Sequence, residues 1–219
     1  MIVIPPCGVE EQMDDVDWVH FGPANTDHVR QLIDMTVAYL LEGFQATGNA
    51  PLGMSIAPHL VTLMIRRRGR VVGFCAVELS GAVELIYIVP TQRRQGIAGT
   101  VLTGLQDRCP RPLKLKKPLS PAMQSLALAL GIGSDEPDPR EVHESEQYIE
   151  HVRAQVERRC PHRRGNRSRL CERCYRKYIT AIVQGVVVCC AGLAMGCGPE
   201  EAARRLGLSI PAWAFSARA

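Results

Sequence analysis

Hydrophobic positions along the first two thirds of the chain recur with two periods. The run DWVHFGP alternates apolar and polar residues. In TDHVRQLIDMTVAYLLEGF, Val29, Leu32, Ile33, Met35, Val37, Leu40 and Leu41 then fall at helical intervals, which predicts a strand followed by an amphipathic helix with Thr26 at its N-cap. The stretch LVTLMIRRRGRVVGFCAVEL holds two β-rich runs around a basic, glycine-containing turn and reads as a hairpin. After Ser80 and Gly81, AVELIYIVP predicts a third, central strand, and GIAGTVLTGLQ opens a helix beyond the intervening basic loop. PLKLKK alternates like a further strand, and SPAMQSLALALGI is helical.

The pattern then changes character. GIGSDEPDPREV carries prolines and acids and reads as a linker. EVHESEQYIEHVRAQVERR is a helix, acidic at its start and basic at its end, as the helix dipole favours. ITAIVQGVVVCCAGLAM, residues 179–195, is apolar throughout, but it is slightly short for a membrane span and contains Gln184, Gly185 and Gly192, so a buried helix is expected. The expected division is residues 1–135 for the first domain and 136–219 for a helical module.

The 219 residues are 46% hydrophobic, enough for a packed core, and the formal charge is +4. That charge is concentrated: residues 151–178 hold ten Arg or Lys against the two acids Glu157 and Glu172, a density that suits a phosphate backbone or an acidic partner. The N-terminal segment is acidic and lacks the basic start and apolar run of a secretory signal, so an intracellular, cytoplasmic location is expected. In such a compartment closely spaced cysteines point to metal before disulfide.

Two segments carry candidate chemistry. The stretch YIVPTQRRQGIAGTVL leads from a strand through glycines into a helix N-terminus, where free backbone N–H groups and the helix dipole favour an anion. There is no Gly-Lys-Ser/Thr and no GxGxxG, which leaves the pyrophosphate of coenzyme A. The second segment, CPHRRGNRSRLCERC, spaces Cys160, His162, Cys171 and Cys174 as two close pairs, a donor set suited to a structural tetrahedral zinc. Arg163, Arg164, Arg167 and Arg169 lie between the pairs and are candidates for nucleic-acid phosphates.

Arg93-Arg94-Gln95-Gly96-Ile97-Ala98 resembles the R/Q-x-x-G-x-G/A signature of the GNAT acyltransferase superfamily. The order helix, basic hairpin, strand, signature, helix is similar to that family over roughly residues 16–132. The resemblance implies an α/β (α+β) fold, a mixed central sheet flanked by helices, to which the zinc-bearing helical module would be attached. It implies acetyl-CoA (acyl-CoA) as donor and an amine as acceptor. Arg93, Arg94, Gln95, Gly96, Ile97, Ala98 and Gly99 would hold the pyrophosphate, and Ile86, Tyr87 and Ile88 would pair with the pantetheine arm.

Ser120, Pro121, Leu126, Ala127, Gly131 and Ile132 resemble the family's second segment, but Ala127 stands where the family has a tyrosine that protonates the leaving thiolate. Ser120, Ser125 or water could substitute, and because coenzyme A thiolate is a fair leaving group the loss of this acid need not abolish activity. Glu84, expected on the same face as Ile86 and Ile88, is the candidate base, with His59 as a second.

The C-terminal GPEEAARRLGLSIPAWAFS places Ala203, Gly207 and Trp213 at helix-turn-helix spacing over residues 198–216. Three readings follow: an N-acyltransferase whose zinc knuckle at residues 160–174 recruits a nucleic acid or a nucleic-acid-bound target; a base-modifying enzyme similar in outline to the phage DNA-modification protein Mom; and a non-catalytic DNA-binding regulator on a GNAT-like fold.

Overall fold

The computed structural model describes residues 15–48, 60–162 and 171–215. His59 and the four arginines Arg163, Arg164, Arg167 and Arg169 lie outside them. Residues 15–21 and 60–137 form one compact unit, and residues 22–48, 138–162 and 171–215 form a second. The first long helix therefore groups with the C-terminal helices, where the sequence suggested one continuous N-terminal domain.

The first unit is a six-stranded mixed sheet in sequential order, β1 (Val16–His20), β2 (Leu60–Arg67), β3 (Arg70–Glu78), β4 (Ala82–Ile88), β5 (Lys114–Lys116) and β6 (Gly133–Asp135). The first four strands are antiparallel neighbours; β4–β5 and β5–β6 are parallel. The β2–β3 turn is made by Arg68 and Gly69, both at positive φ (49° and 74°), the two-residue geometry whose twist matches the strands.

Helices α2 (Ile97–Arg108) and α3 (Pro121–Leu130) cover one face, over a core that includes Trp18, Leu63, Ile65, Cys75, Val77, Val101, Leu102 and Leu105. Gly104 makes room for Trp18: a Cβ there would lie 2.6 Å from the indole ring. Strand β6 falls where the sequence pattern reads as linker. Its residues Gly133, Ser134 and Asp135 bury no apolar side chain, so an edge strand this short leaves no hydrophobic alternation in the sequence.

A β-bulge corrects a second expectation. Val77 pairs with Val83 and Ala76 with Leu85, so Glu84 is the extra residue in β4. The alternation slips by one at that point. Val83, Ile86 and Ile88 share the face packed by α2 and α3, and Glu84 lies on the opposite face from Ile86 and Ile88.

The second unit comprises α1 (Thr26–Thr47), α4 (Pro139–Arg159), α5 (Glu172–Met195) and α6 (Pro199–Arg205). The N-cap of α1 is Asn25 and not Thr26: its side-chain oxygen accepts from the N–H groups of Asp27 and His28, an interaction typically worth about 1 kcal/mol.

Helix α5 is the centre of this unit and contacts α1, α4 and α6. By length and composition it is apolar enough to cross a membrane; here Ile179, Ile182, Val183, Val187 and Val188 are buried within the unit, each such side chain contributing about 1.5–3 kcal/mol. Phe44 of α1 stacks on Tyr175 of α5 at 4.2 Å between ring centroids.

The helix-turn-helix expectation fails. Gly207 does turn at φ 62°, but the chain then runs to Pro211 and, among the described residues, makes a single 3-10 turn, Ala212–Ala214. Pro211 biases the residue before it to extended backbone, and Trp213, the proposed anchor of a second helix, instead packs edge-on against Tyr178 at 5.7 Å.

Candidate functional site

The strand-to-helix junction is built by departures from regular backbone. After β4 a short 3-10 turn, Pro90–Gln92, leads to Arg94 at φ 61° and Gly96 at φ 77°, both left-handed, and Gly96 caps α2. A Cβ on Gly96 would meet no atom of the described residues within 4 Å, so the Cβ side of this turn at the helix N-terminus is open. In the first turn of α2 the N–H groups of Ile97, Ala98 and Gly99 have no acceptor within the helix. The side chain of Ile97 is buried in the core and fixes the direction of that turn.

Beside this junction the sheet opens. Strand β4 pairs with β5 only at Ala82–Lys114 and Val83–Leu115, while its other edge stays paired with β3 as far as Ile88. From Glu84 to Ile88 the edge facing β5 therefore has no ladder partner among the described residues. The crevice opens at the carboxyl end of β4, the place where open α/β sheets bind ligands. Tyr87 and Ile88 bury their side chains and Ile86 packs against the core, so these three residues offer backbone to the crevice.

The signature side chains divide. Arg93 turns back on the strand: its Nε donates to the Ile88 carbonyl at 2.8 Å and its guanidinium lies 5.4 Å from the centre of the Tyr87 ring. The Gln95 amide donates to the Thr91 carbonyl at 3.2 Å and accepts from Arg67, which also donates to Gln92 at 3.1 Å. Arg94 is exposed and has no partner among the described residues. Arg94 and the backbone N–H groups are thus available to an anion, whereas the side chains of Arg93 and Gln95 brace the loop. The bracing role of Arg67 was not legible in the sequence; the basic turn RRRGR was visible, but its reach across to the signature loop depends on the β2–β3–β4 register.

The candidate acid and base residues are engaged elsewhere. Glu84 accepts from Lys116 Nζ at 2.6 Å, and Lys116, only 10% exposed, also pairs with Glu78. The Ser120 hydroxyl oxygen accepts from the N–H of Met123 as the cap of α3, and Ser125 donates to the Pro121 carbonyl at 3.1 Å. Ala127 is 5% exposed and faces the core, so position 127 presents no polar group.

In the second unit the predicted metal residues do come together. Cys160 is the C-cap of α4, Cys171 the N-cap of α5, and Cys174 sits in the first turn of α5. Their sulfurs and a ring nitrogen of His162 all lie within 4.8 Å of one another. His162 Nδ1 is 3.3 Å from Cys174 Sγ and 3.8 Å from Cys171 Sγ. A zinc with about 2.3 Å bonds to sulfur requires tetrahedral edges of about 3.8 Å, so these residues can hold one with little adjustment.

Backbone N–H groups of Cys174 and Arg173 at the helix start bring the Cys171 thiol down. Burial, followed by the neighbouring Cys160 and Cys171, pushes Cys174 up to about 12. Beside the cluster, Arg159 stacks over Trp213 at 4.8 Å and its carbonyl accepts from the Tyr178 hydroxyl at 2.9 Å.

No protein-family model and no curated protein matches the chain. Among solved structures, AAC(6')-Iy in complex with the bisubstrate analogue CoA-S-monomethyl-acetylneamine is 18% identical with a TM-score of 0.37, over 57% of this chain and 95% of that one. An aminoglycoside acetyltransferase, HMB0005, from an uncultured soil metagenomic sample is 15% identical with a TM-score of 0.32, over 72% of this chain and 99% of that one. At scores this low, function has to be argued from the residues of this chain.

Proposed function

We propose that this protein is an acyl-CoA-dependent N-acyltransferase with a GNAT-like catalytic unit, and that a zinc-held helical module recruits its target. The observation that carries the reading is the open, left-handed Gly96 turn at the N-terminus of α2, set at the mouth of the crevice between β4 and β5. An extended pantetheine arm finds unpaired backbone along Glu84–Ile88, and the pyrophosphate finds the N–H groups of α2 together with Arg94.

In the reaction the acceptor amine attacks the thioester carbonyl, its carbonyl oxygen takes the electron pair, and collapse expels the coenzyme A thiolate. The chain supplies positioning and N–H donors more than proton transfer. Lys116 holds Glu84, so the amine must arrive neutral or lose its proton to water unless Glu84 leaves that ion pair. No residue at position 127 protonates the thiolate, and the absence of a general acid typically costs about 10²–10⁴-fold in rate. A slow enzyme is expected, with an acetyl or related acyl group as cargo.

The zinc is a structural ion in this reading: when bound, it ties the end of α4 to the start of α5 through Cys160, His162, Cys171 and Cys174. The module's arginines fit a nucleic acid or a nucleic-acid-bound target in the intracellular compartment where such thiols stay reduced. A second reading, an acyl-CoA-binding regulator without turnover, is favoured by the buried Ala127 and the engaged serines.

Calorimetry of acetyl-CoA with the full zinc-loaded chain tests the first step, with Arg94→Glu as control. Binding that is lost in the variant supports the cradle; no binding by the intact chain refutes it. An acceptor screen beginning with nucleic acids then separates enzyme from regulator. In that screen Glu84→Gln leaves the rate unchanged if the carboxylate only pairs with Lys116, and flattens the pH–rate profile if it acts as base.

A further inference from the structure

Within the second unit a cleft of about 340 Å³ opens onto the cysteine–histidine cluster itself: His162 and Cys174 line it together with Arg159, Arg173, Lys177 and Tyr178. Among the described residues no carboxylate lines it. Arg173 and Lys177 are spaced i, i+4 in the first two turns of α5, and neither side chain has a partner among the described residues. Residues 163–170, which join His162 to Cys171, contain no Asp or Glu and cannot neutralise them.

This placement is unfavourable for the helix by itself. Like charges at i, i+4 repel, and cations in the first turns oppose the helix dipole. Other cations of the unit are relieved: Arg176 pairs with Glu172, and Arg204 and Arg205 pair with Glu201. Arg159 has its head held by the Trp213 ring and by Gln155, so one of the three cations is pre-positioned while two await a counter-charge. A zinc carried by three thiolates and an imidazole has a net charge of −1, which offsets only part of the lining charge.

From these facts we infer that the cleft is a phosphate-binding subsite, in which Arg173, Lys177 and Arg159 take the oxygens of one phosphate and the metal cluster fixes the spacing between the α4 and α5 contributors. The chemistry is shared by a nucleic-acid phosphodiester and by free phosphate. The inference rests on the zinc-held geometry and not on the acyl-CoA reading.

The test uses the full zinc-loaded chain and two probes: a fluorescent single-stranded hexanucleotide followed by anisotropy, and inorganic phosphate followed by calorimetry. The variant is Arg173→Gln/Lys177→Gln, with zinc content by mass spectrometry and acetyl-CoA binding measured on the same samples. The expected result is at least about ten-fold weaker binding in the variant at unchanged zinc content. For the oligonucleotide, the slope of log affinity against log salt should also be smaller by about 1.4, two contacts at about 0.7 each. Arg173→Lys/Lys177→Arg, which keeps the charge, should restore most of the loss.

Binding of both probes that is lost in the variant identifies a strand phosphate, and binding of phosphate alone identifies a free phosphate or monoester; either supports the subsite. No binding of either probe, or binding that the variant leaves intact, overturns it. If Arg173→Gln/Lys177→Gln loses zinc, Lys177→Gln alone is the deciding variant, and an unchanged affinity there overturns the inference. Acetyl-CoA binding that persists in every variant shows that failure of this subsite is separate from failure of the acyl-CoA reading.

Discussion

Gly96 separates backbone strain from ligand electrostatics. It holds φ 77° at the N-cap of α2, and a Cβ there meets no atom within 4 Å. Gly96→Ala therefore costs only the left-handed backbone, about 1 kcal/mol, which for a chain of this size lowers Tm by roughly 2–4 °C. Gly96→Glu carries the same strain, but its carboxylate sits at a helix N-terminus, where negative charge contributes about 0.3–1 kcal/mol of stability. The glutamate variant should thus melt at or above the alanine variant.

Binding should move the other way. A carboxylate about 4 Å from a pyrophosphate charge is opposed by about 1 kcal/mol in bulk water and about 4 kcal/mol at an effective dielectric near 20. That is roughly 5-fold to nearly 1000-fold in Kd. Thermal denaturation and acetyl-CoA calorimetry on both variants read the two quantities. The reasoning is refuted if Gly96→Ala and Gly96→Glu bind acetyl-CoA equally, because the anion then does not sit at this helix end.

Three further outcomes are expected. Gly104→Ala improves helix propensity by about 1 kcal/mol, but its Cβ would fall 2.6 Å from the Trp18 ring, and overpacking of about 1–3 kcal/mol should make the variant less stable by urea denaturation. Cys174 is raised to about 12 and must lose its proton to bind metal, so zinc uptake should release protons and weaken as pH falls; a weakly buffered titration reads this, and Cys174→Ser should lose both zinc and proton release.

Burial, with Cys109 nearby, holds the Cys75 thiol at about 12 against an ordinary 9.0. The folded state keeps a proton that the unfolded chain gives up, so this contribution is full below pH 9.0 and is lost as pH rises towards 12. By about pH 10.5 the loss is about 2 kcal/mol, and Cys75→Ala should remove that part of the alkaline slope in urea denaturation.

Much of the site was legible locally. The glycine at the helix entrance and the two close cysteine and histidine pairs each depend on residues within a few positions of one another, and local spacing encodes them; Ser120, read as a proton donor, is instead the cap of α3. Thr26 was misplaced as a cap by one residue, since Asn25 and Thr26 are both competent and only the entry angle of the helix chooses. The face of Glu84 was misread because a bulge changes the period of a strand without changing its composition. The helix-turn-helix spacing failed because the pattern of three residues says nothing about whether Pro211 allows a second helix.

From sequence alone, the chain determined where its longer strands and helices lie, though not β6 or the C-terminal turn, that a strand runs through glycine into a helix N-terminus, and that three cysteines and a histidine are spaced for metal. Those features are short-range, set by backbone sterics, side-chain period and loop length. Tertiary structure alone decided that Arg67 braces Gln92 and Gln95, that Arg93 is spent on its own strand while Arg94 stays open, that Lys116 holds Glu84, and that Arg159 converges with Arg173 and Lys177 on one cleft. Each of these pairs residues from different elements, and which partner a charge finds depends on register and packing, which no local pattern in the chain encodes.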